Sequence, residues 1–338
     1  MKVLFVSAKS AVNDQIEKAF TENGAEVFRL DERIITFLPS FLNQNETAWK
    51  ILRKFPRLKR LNNKIWNRRL IRLCDKIKPD ILFTTKGVII YPKTLVRIKE
   101  MGIILANWFF ENVDAETYHQ WFLKTCRYYD YFFNYDPNIS DKYKFSSGNL
   151  KYLPLAADPA FYKVEGVDEK EKEFFSCDVC FVGALYPERE KLLIEIKNLG
   201  INFKIFGWKS WLNSSLAENY YGPLLSSKEI AKAYSLAKIS LNQNLQPQNG
   251  GVNLKTFEIP AAGGFQISDE QPELRDIFKI GEEVETYKTA DELLEKIKFY
   301  LSNEDKRNKI TLAGYKRVLK DHTLNQRIKT ILETVKIN

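Results

Sequence analysis

The 338-residue sequence lacks the features that would define a membrane-spanning or secreted protein. No stretch approaches the roughly 18 consecutive apolar residues that a membrane-spanning helix requires. The apolar start of the chain is interrupted at Lys9, and no small-residue cleavage site follows, so it predicts a buried first strand rather than a signal peptide. We therefore expect a cytoplasmic protein.

Metal-ligating side chains are also scarce. The chain has two histidines, and its four cysteines are Cys74, Cys126, Cys177 and Cys180. The last two have the spacing of a redox or half-zinc motif, but no second such pair exists, and we interpret both as residues on or beside a β-strand. No D-x-D triplet is present that would hold a metal-bound nucleotide sugar. We expect neither a metal nor a cofactor.

Motifs for several common chemistries are missing. No G-x-G-x-x-G follows a predicted strand, which disfavours a nicotinamide or flavin dinucleotide, and no G-x-x-x-x-G-K-[ST] is present for a P-loop. A G-x-S-x-G nucleophile elbow, which α/β-hydrolases carry, is absent as well. Dehydrogenase, P-loop and hydrolase functions are therefore disfavoured.

Apolar runs of strand length alternate with helical patterns, which predicts βαβ units and parallel sheets. The chain length suits two domains of roughly 150 residues each. We predict an α/β protein with two Rossmann-like domains, at 1–158 and 159–321, that face an interdomain cleft. The acidic stretch from Lys163 is interpreted as part of the connection, and a helix at about 322–338 is expected to pack back on the first domain. Ligands of open α/β sheets bind at the carboxyl ends of the strands, so the site is expected in the cleft.

Positive charge is concentrated between Lys50 and Lys78, where twelve Lys or Arg stand against one acid, Asp75. Apolar residues recur within this block at spacings of three and four, which indicates basic amphipathic helix: Trp49, Leu52, Phe55, Leu58, Leu61, Ile65, Trp66 and Leu70. Three interpretations stay open, namely contact of residues 49–78 with an anionic membrane, an acidic acceptor site, or a solvated surface. Nucleic acid is not expected, because no binding motif accompanies the charge.

The stretch Gly250–Phe265, GGVNLKTFEIPAAGGF, places four of the chain's 15 glycines around one short helical pattern. We predict a helix start at Gly251–Asn253, whose free amides and helix dipole suit a diphosphate, with Gly250 and Gly251 allowing close approach of the ligand. Lys255 in the first turn adds a positive charge. Glu258 lies one to two turns into the helix, where its carboxylate can accept hydrogen bonds from the vicinal hydroxyls of a ribose.

This stretch, with "CDVCFVGALYPERE", "YYGPLLSSKEIAKAYSLAKISLN" and "AGYKRVLKDHT", resembles the CgeB-like (spore maturation protein) glycosyltransferases, which are similar to retaining GT-B enzymes of family 4. The resemblance covers roughly Cys177 to Thr323 and is weaker over the first 150 residues. It implies a GT-B fold, a nucleotide-sugar donor on the C-terminal domain, an acceptor on the N-terminal domain, and no metal. Glu258 matches the second Glu of the family's Glu-x7-Glu motif, which binds the ribose, whereas Gly250 stands where the first Glu would be.

The resemblance and the strand pattern together give a set of candidate site residues. Arg189 is a candidate phosphate partner, Trp208 either stacks on the base or belongs to the core, and Asn244 ends a strand with Asn242. The donor-binding candidates are Gly183, Arg189, Gly207, Trp208, Tyr221, Gly222, Asn242, Gly250, Gly251, Val252, Asn253, Lys255 and Glu258. The catalytic candidates are His119, Glu111, Asp114 and Lys255, and Asp14 joins them as a general base if the enzyme inverts.

We predict a metal-independent, retaining GT-B glycosyltransferase of polysaccharide biosynthesis. It is expected to move a sugar from a UDP-sugar to a polysaccharide, lipid-linked or protein acceptor, in the cytoplasm or peripherally at the inner face of the membrane. Two alternatives remain: a nucleotide-sugar epimerase or hydrolase of the same fold, and a non-catalytic two-lobed protein that binds a sugar or nucleotide.

Overall fold

The computed structural model describes residues 1–39, 45–144, 148–244 and 251–336. The chain divides into two compact units. The N-terminal unit contains Met1–Pro154 and the C-terminal residues from Ile328 onward, and the C-terminal unit contains Leu155–Arg327. Within the described ranges, no helix combines the length and apolarity needed to cross a bilayer.

The N-terminal unit is built on a six-stranded parallel sheet with strand order β2-β1-β3-β4-β5-β6. Its strands are β1 (Lys2–Ser7), β2 (Glu26–Asp31), β3 (Ile81–Thr84), β4 (Ile104–Phe109), β5 (Tyr131–Asn134) and β6 (Leu150–Tyr152). Its helices are α1 (Ala11–Glu22), α2 (Glu46–Arg53), α3 (Pro56–Ile77), α4 (Pro92–Lys99), α5 (Glu116–Thr125) and α6 (Ile139–Lys142). Strands β3 and β5 are buried at every position, because helices cover both faces of a parallel sheet.

The C-terminal unit has a second six-stranded parallel sheet, with strand order β12-β11-β10-β7-β8-β9. Its strands are β7 (Cys177–Val182), β8 (Phe203–Phe206), β9 (Tyr220–Gly222), β10 (Ala237–Asn242), β11 (Gln266–Asp269) and β12 (Glu285–Tyr287). Its helices are α7 (Glu169–Phe175), α8 (Pro187–Lys197), α9 (Ser227–Leu236), α10 (Lys255–Ala261), α11 (Leu274–Ile277), α12 (Ala290–Ser302) and α13 (Glu304–Asp321), and α14 (Leu324–Lys336) crosses the division between the units.

The acidic stretch from Lys163 is more structured than the sequence suggested. The interpretation as a connection is wrong for Glu169–Phe175, which forms α7 within the C-terminal unit. Asp168 caps this helix in a capping box with Glu171, which satisfies free amides of the first turn. At the other end, the ammonium of Lys204 donates to the carbonyls of Glu173 and Phe174 at 2.8 and 2.9 Å.

Cys177 and Cys180 both lie in β7 and are buried, as their interpretation as strand residues predicted. Burial raises the pKa of the Cys180 thiol to about 12. In the described part of the chain, no three His, Cys, Asp or Glu side chains gather as metal ligands do.

Candidate functional site

The strand order of the C-terminal sheet identifies where a ligand should bind. The chain leaves β7 toward β8 and β9 on one side, and it reaches β11 and β12 through β10 on the other. Strands β7 and β10 are neighbours, so the order reverses between them. Ligands of open α/β sheets bind at such a switch point, outside the carboxyl ends of the strands. The loops after Val182 and Asn242 therefore form the first candidate site.

Arg189 joins these two loops. Its side chain is 4% exposed. One guanidinium nitrogen donates to the carbonyl of Ala184, after β7, at 2.7 Å, and another donates to the carbonyl of Gln243, after β10, at 3.1 Å. The Nε atom is buried and has no hydrogen-bond partner in the described chain. A buried cation with a free donor at a switch point is suited to an anionic ligand.

Lys255 supplies a second cation at the same place. Its Nζ donates to the carbonyl of Val182 at 3.3 Å and lies 4.9 Å from the centre of the Phe181 ring. The Arg189 guanidinium lies 5.0 Å from that ring. Burial and then the positive charge of Arg189 lower the pKa of Lys255 to about 7. Among the described residues, no carboxylate bonds to either of these two cations, and such a pair is costly unless an anion binds.

Gly183 and Gly207 bring the first two loops of the unit into close contact. The amide of Gly183 donates to the carbonyl of Phe206 at 2.9 Å. A Cβ on Gly207, whose φ is +153°, would lie 2.1 Å from the carbonyl oxygen of Gly183. Residue 207 must therefore be glycine if the loop that contains Gly183 is to keep its position beside Arg189.

The segment before α10 differs from its prediction. The helix begins at Lys255, after Leu254, so the predicted start at Gly251–Asn253 is wrong. The amide of Val252 donates to the Glu273 carboxylate at 2.6 Å, and the amide of Asn253 donates to Oδ1 of Asn244 at 2.9 Å. These two amides are engaged by the protein instead of being free for a diphosphate. Gly251 is buried, and Gly250 lies outside the described residues.

Asn242 and Asn244 hold this segment in place. The amide group of Asn242 donates to Oγ1 of Thr256 at 3.1 Å, and its oxygen accepts from the Asn253 side chain at 2.8 Å. Asn244 donates both its backbone and its side-chain N–H to Oδ1 of Asp269 at 2.8 and 2.9 Å. Both asparagines are buried, so the geometry gives them a positioning role for the 251–256 segment.

Glu258 lies in the middle of α10 and is 8% exposed. Its Oε1 accepts a hydrogen bond of 2.5 Å from the hydroxyl of Tyr162, 96 positions earlier in the chain. Burial raises the pKa of Glu258, while the Tyr162 hydroxyl and the charge of Lys255 lower it. A carboxylate has about four acceptor positions, so this bond leaves capacity for further hydroxyl donors.

A cavity of about 550 Å³ adjoins the carboxyl ends of β11 and β12. Asp269 and Tyr287, the last residues of those strands, take part in its lining. The Tyr287 hydroxyl is buried and makes no hydrogen bond within the described residues. The remaining lining residues are Glu270, Gln271, Pro272, Arg275 and Lys288.

The aromatic candidates near β8 and β9 are separated by their exposure. Trp208 is 72% exposed, whereas Trp211, three positions later, is fully buried and donates through Nε1 to the carbonyl of Gly183 at 2.9 Å. Tyr221 is 40% exposed, and the Lys204 ammonium lies 4.5 Å from its ring centre. Gly222 accepts from the amide of Gly207 at 3.0 Å. The core tryptophan is Trp211, which leaves Trp208 available to a ligand.

The catalytic candidates of the N-terminal unit lie after β4. Glu111 forms a 2.6 Å ion pair with Lys86. His119 Nδ1 lies 3.3 Å from the Val113 carbonyl and 3.9 Å from Oδ1 of Asp114. Asp114 also accepts from the hydroxyl of Tyr143 and lies 3.6 Å from the ammonium of Lys142. His119 and Asp114 are thus brought together, whereas Glu111 belongs to a separate ion pair.

Asp14 does not join either group. It lies on α1 and pairs with Arg29, which also binds Glu17 at 2.8 Å. Glu32, which follows β2, was not singled out from the sequence. One of its carboxylate oxygens is buried without a hydrogen bond in the described residues, and burial raises its pKa to about 7.

Other polar site residues also escaped the sequence analysis. Tyr162 and Glu273 contact the predicted segment from 96 and 21 positions away, and Asp269 accepts from Asn244, which lies 25 positions before it. A signal for Asp269 and Glu273 was present, because "SDEQPE" begins with the last two residues of β11 and so lies at the carboxyl edge of the sheet.

Comparison with known proteins agrees with the architecture. The fold is that of GT-B glycosyltransferases, and residues 189–333 match the family model described as glycosyl transferase-like. Residues 189–333 are therefore similar to a glycosyl transferase-like domain. Among curated proteins it is similar to the spore protein CgeB of Bacillus subtilis (strain 168), with 22% identity over 198 residues. That alignment covers 53% of this chain and 59% of the relative, so it spans less than two thirds of the CgeB sequence.

Solved structures extend the likeness over the whole chain. Sucrose-phosphate synthase from Thermosynechococcus elongatus has a TM-score of 0.70 at 10% identity and covers 100% of this chain and 99% of its own. Anabaena Alr3699/HepE in complex with UDP-glucose has a TM-score of 0.66 at 10% identity, with both chains fully covered. A trehalose-6-phosphate synthase, studied for glycosyl transfer with retention, has a TM-score of 0.65 at 13% identity and covers 100% and 99%. The predicted fold class is confirmed.

Proposed function

We propose that this protein is a glycosyltransferase that takes its sugar from a UDP-sugar bound at the switch point of the C-terminal sheet. The observation that carries the proposal is the buried pair Arg189 and Lys255, whose charged groups lie 5.0 and 4.9 Å from the centre of the Phe181 ring. Two cations that bond to no carboxylate of the described residues match the charge of a diphosphate. Glu258, on the same helix as Lys255, is the proposed ribose ligand.

The proposed chemistry depends on charge at the leaving group. The bond between the sugar carbon C1 and the diphosphate oxygen breaks, and a bond from C1 to the acceptor oxygen forms. Negative charge then develops on the departing diphosphate, where Arg189 and Lys255 stabilise it more strongly than water would because both are desolvated. These two cations would supply the charge that a divalent metal provides in other transferases.

The base is proposed to contact Trp208, which is 72% exposed in the loop after β8. Trp208 directly follows Gly207, and its largely exposed indole is free to stack on a uracil ring. UDP is favoured because a fold neighbour, Anabaena Alr3699/HepE, binds UDP-glucose. Tyr221 and Gly222 lie on the adjacent strand β9 and belong to the same proposed contact.

The acceptor is proposed to bind the N-terminal unit, where Glu111, Asp114 and His119 follow β4. It is a polysaccharide, lipid-linked or protein hydroxyl. We propose retention, as in the trehalose-6-phosphate synthase among the fold neighbours. In that case a phosphate oxygen of the leaving group takes the acceptor proton, and no side-chain base is needed.

A panel of UDP, GDP, ADP, TDP and CMP in a thermal-shift assay tests the proposal. A ligand at 100 times its Kd stabilises the native state by about 2.7 kcal/mol, which corresponds to a shift of roughly 5–10 °C for a unit of this size. UDP is expected to give the largest shift. Equal or absent shifts for all five nucleotides would contradict it.

Product analysis then separates the transferase from the alternatives. UDP-glucose and related donors are incubated with and without candidate acceptors, and UDP release is measured. Release that requires an acceptor supports transfer. Release without any acceptor indicates a hydrolase, a changed nucleotide sugar indicates an epimerase, and binding without turnover indicates a binding protein.

A further inference from the structure

The basic stretch of the N-terminal unit forms two consecutive helices, α2 and α3, which meet at Lys54 and Phe55. Eleven Lys and Arg lie between Arg53 and Lys78, and within the described ranges none of them forms an ion pair with a carboxylate. Most of these side chains are exposed. The block is therefore an uncompensated positive surface of the folded protein.

Helix α3 has one face fixed in the core. Trp66 and Leu70 are fully buried, and the Trp66 indole donates to the carbonyl of Asp31 at 3.1 Å. Asn62 is buried as well and accepts from the backbone amide of Thr36 at 2.7 Å. Substitutions on the opposite side of α3 therefore leave these anchoring contacts intact.

The outward side of the same helices is also apolar. Leu61 lies nine residues before Leu70, which is two and a half helical turns at about 3.6 residues per turn, so the two side chains point in opposite directions. The outward apolar side chains are about half exposed: Ile51 (53%), Phe55 (52%), Leu58 (46%) and Leu61 (49%). Arg57 and Arg60 lie between Phe55 and Leu61 in the sequence, Arg68 follows Leu61, and all three side chains are exposed.

We propose that this outward surface, from Lys50 to Arg72, docks onto the anionic face of a phospholipid membrane. Cations alone would suit any polyanion, but four exposed apolar side chains gain free energy only where acyl chains can receive them. An acidic glycan offers no such apolar layer. A nucleic acid would favour several exposed aromatic residues for stacking on its bases. Among the described residues of this surface, Phe55 is the only aromatic side chain that is more than half exposed, so nucleic acid is disfavoured.

This inference goes beyond the proposed nucleotide site and does not depend on it, because all the residues of the surface belong to the N-terminal unit. It locates the reaction at a lipid surface, where a lipid-linked or membrane-proximal acceptor would be concentrated. Failure of the nucleotide experiment leaves the membrane test unchanged.

Cosedimentation with phosphatidylcholine vesicles, with and without phosphatidylglycerol, tests the proposal. The unmodified protein is expected to bind only the vesicles that contain phosphatidylglycerol. Each basic residue near an anionic surface contributes roughly fivefold to partitioning, so the R57E/R60E/R68E variant should lose at least about 100-fold. The matched control K124E/K170E/K298E changes the net charge equally at exposed sites elsewhere and should bind within about threefold of the unmodified protein.

A second variant, L58Q/L61Q, keeps every charge and removes only apolar surface. It should lose about tenfold or more in vesicle binding. If L58Q/L61Q binds vesicles as the unmodified protein does, the surface binds a soluble polyanion and the lipid proposal is overturned. The same conclusion follows if heparin displaces L58Q/L61Q and the unmodified protein from vesicles equally well. Absence of vesicle binding, or an equal loss in the K124E/K170E/K298E control, also overturns it. Thermal midpoints of all variants are compared with that of the unmodified protein to test whether each is folded, and L58Q/L61Q alone decides the question if the triple variant is not.

Discussion

Single residues of the C-terminal unit owe their charge state to burial. The pKa of Lys255 is lowered to about 7 because desolvation and the charge of Arg189 both oppose its protonation. An anionic ligand would reverse this balance and raise its pKa. The cost of keeping two cations close together in the free protein is therefore recovered when a diphosphate binds, which is typical of sites built for function rather than for stability.

Changing Lys255 to Met should separate binding from stability. Free Lys255 is charged below about pH 7, so UDP affinity is expected to be highest near that pH and to weaken by up to about tenfold per unit as the pH rises. The K255M variant should bind weakly and without this pH dependence, and its thermal midpoint should rise by a few degrees because a desolvated ammonium is removed. Calorimetric titration of UDP between pH 7 and 9 measures this. The control K232M removes a partly buried lysine on α9 that pairs with Glu171, and it should retain the pH dependence.

His322 gives a pH effect on folding. It is 7% exposed, its Nδ1 accepts from Arg327 at 2.8 Å, and its Nε2 lies 3.2 Å from the Ile277 carbonyl. Burial and Arg327 lower its pKa from 6.5 to about 4. The unfolded chain takes up this proton near pH 6.5, so stability is complete above that pH and should fall by roughly 2–3 kcal/mol toward pH 4.

The comparison that isolates His322 is a urea-unfolding series at pH 7 and pH 4.5 on the unmodified protein and on H322Q. Carboxylates titrate in both proteins, so only the difference in their pH dependence reports the histidine. The variant should be less stable at pH 7 but should lose less stability on acidification. Equal losses in the two proteins would show that His322 does not titrate as its surroundings imply.

At the scale of elements, the loops after β7 and β8 are held together by a contact that only glycine permits. Gly207→Ala should destabilise the C-terminal unit by roughly 1–3 kcal/mol more than Gly222→Ala, measured by urea unfolding. Both glycines have positive φ, at +153° and +123°, but only Gly207 would bring a Cβ against backbone, at 2.1 Å, while Gly222 has open space. Equal destabilisation would mean that backbone strain, and not this contact, fixes the loop.

The elements themselves could largely be predicted from the sequence. Alternating apolar runs and helical patterns gave the two parallel sheets, and the position of Glu258 on a helix after β10 followed from local pattern and resemblance. The start of that helix could not be predicted. Glu273 and Asn244 accept hydrogen bonds from the backbone amides of Val252 and Asn253, and they lie 21 and 9 positions away from them. Partners at these separations leave no trace in a local helical pattern.

The same limit explains the aromatic and acidic residues. Trp208 and Trp211 are three positions apart in one loop, and only the packing of that loop decides that Trp211 enters the core. Tyr162 was missed because its partner Glu258 is 96 residues away. Glu32 was missed because its burial depends on how the loop after β2 packs, which no spacing records.

The whole molecule combines two features that the fold keeps in different units. The C-terminal sheet has the strand order of nucleotide-binding folds, with a pair of cations at its switch point. The N-terminal unit carries the positively charged apolar surface of α2 and α3. A transferase that acts on acceptors near a membrane would need both.

The central claim is that a nucleotide diphosphate binds beside Glu258, and calorimetric titration of UDP tests it most directly. Glu285 provides a matched control, because it is also 8% exposed and accepts a hydrogen bond of 2.6 Å from a tyrosine hydroxyl, that of Tyr300. Unlike the proposed site, however, Glu285 lies at the amino end of its strand, β12. The Glu258→Ala variant should lose about 1.5–3 kcal/mol of binding free energy, or roughly 10- to 150-fold in affinity, while Glu285→Ala keeps the affinity of the unmodified protein. UDP affinity that is the same in both variants, or no UDP binding to the unmodified protein, would contradict the account.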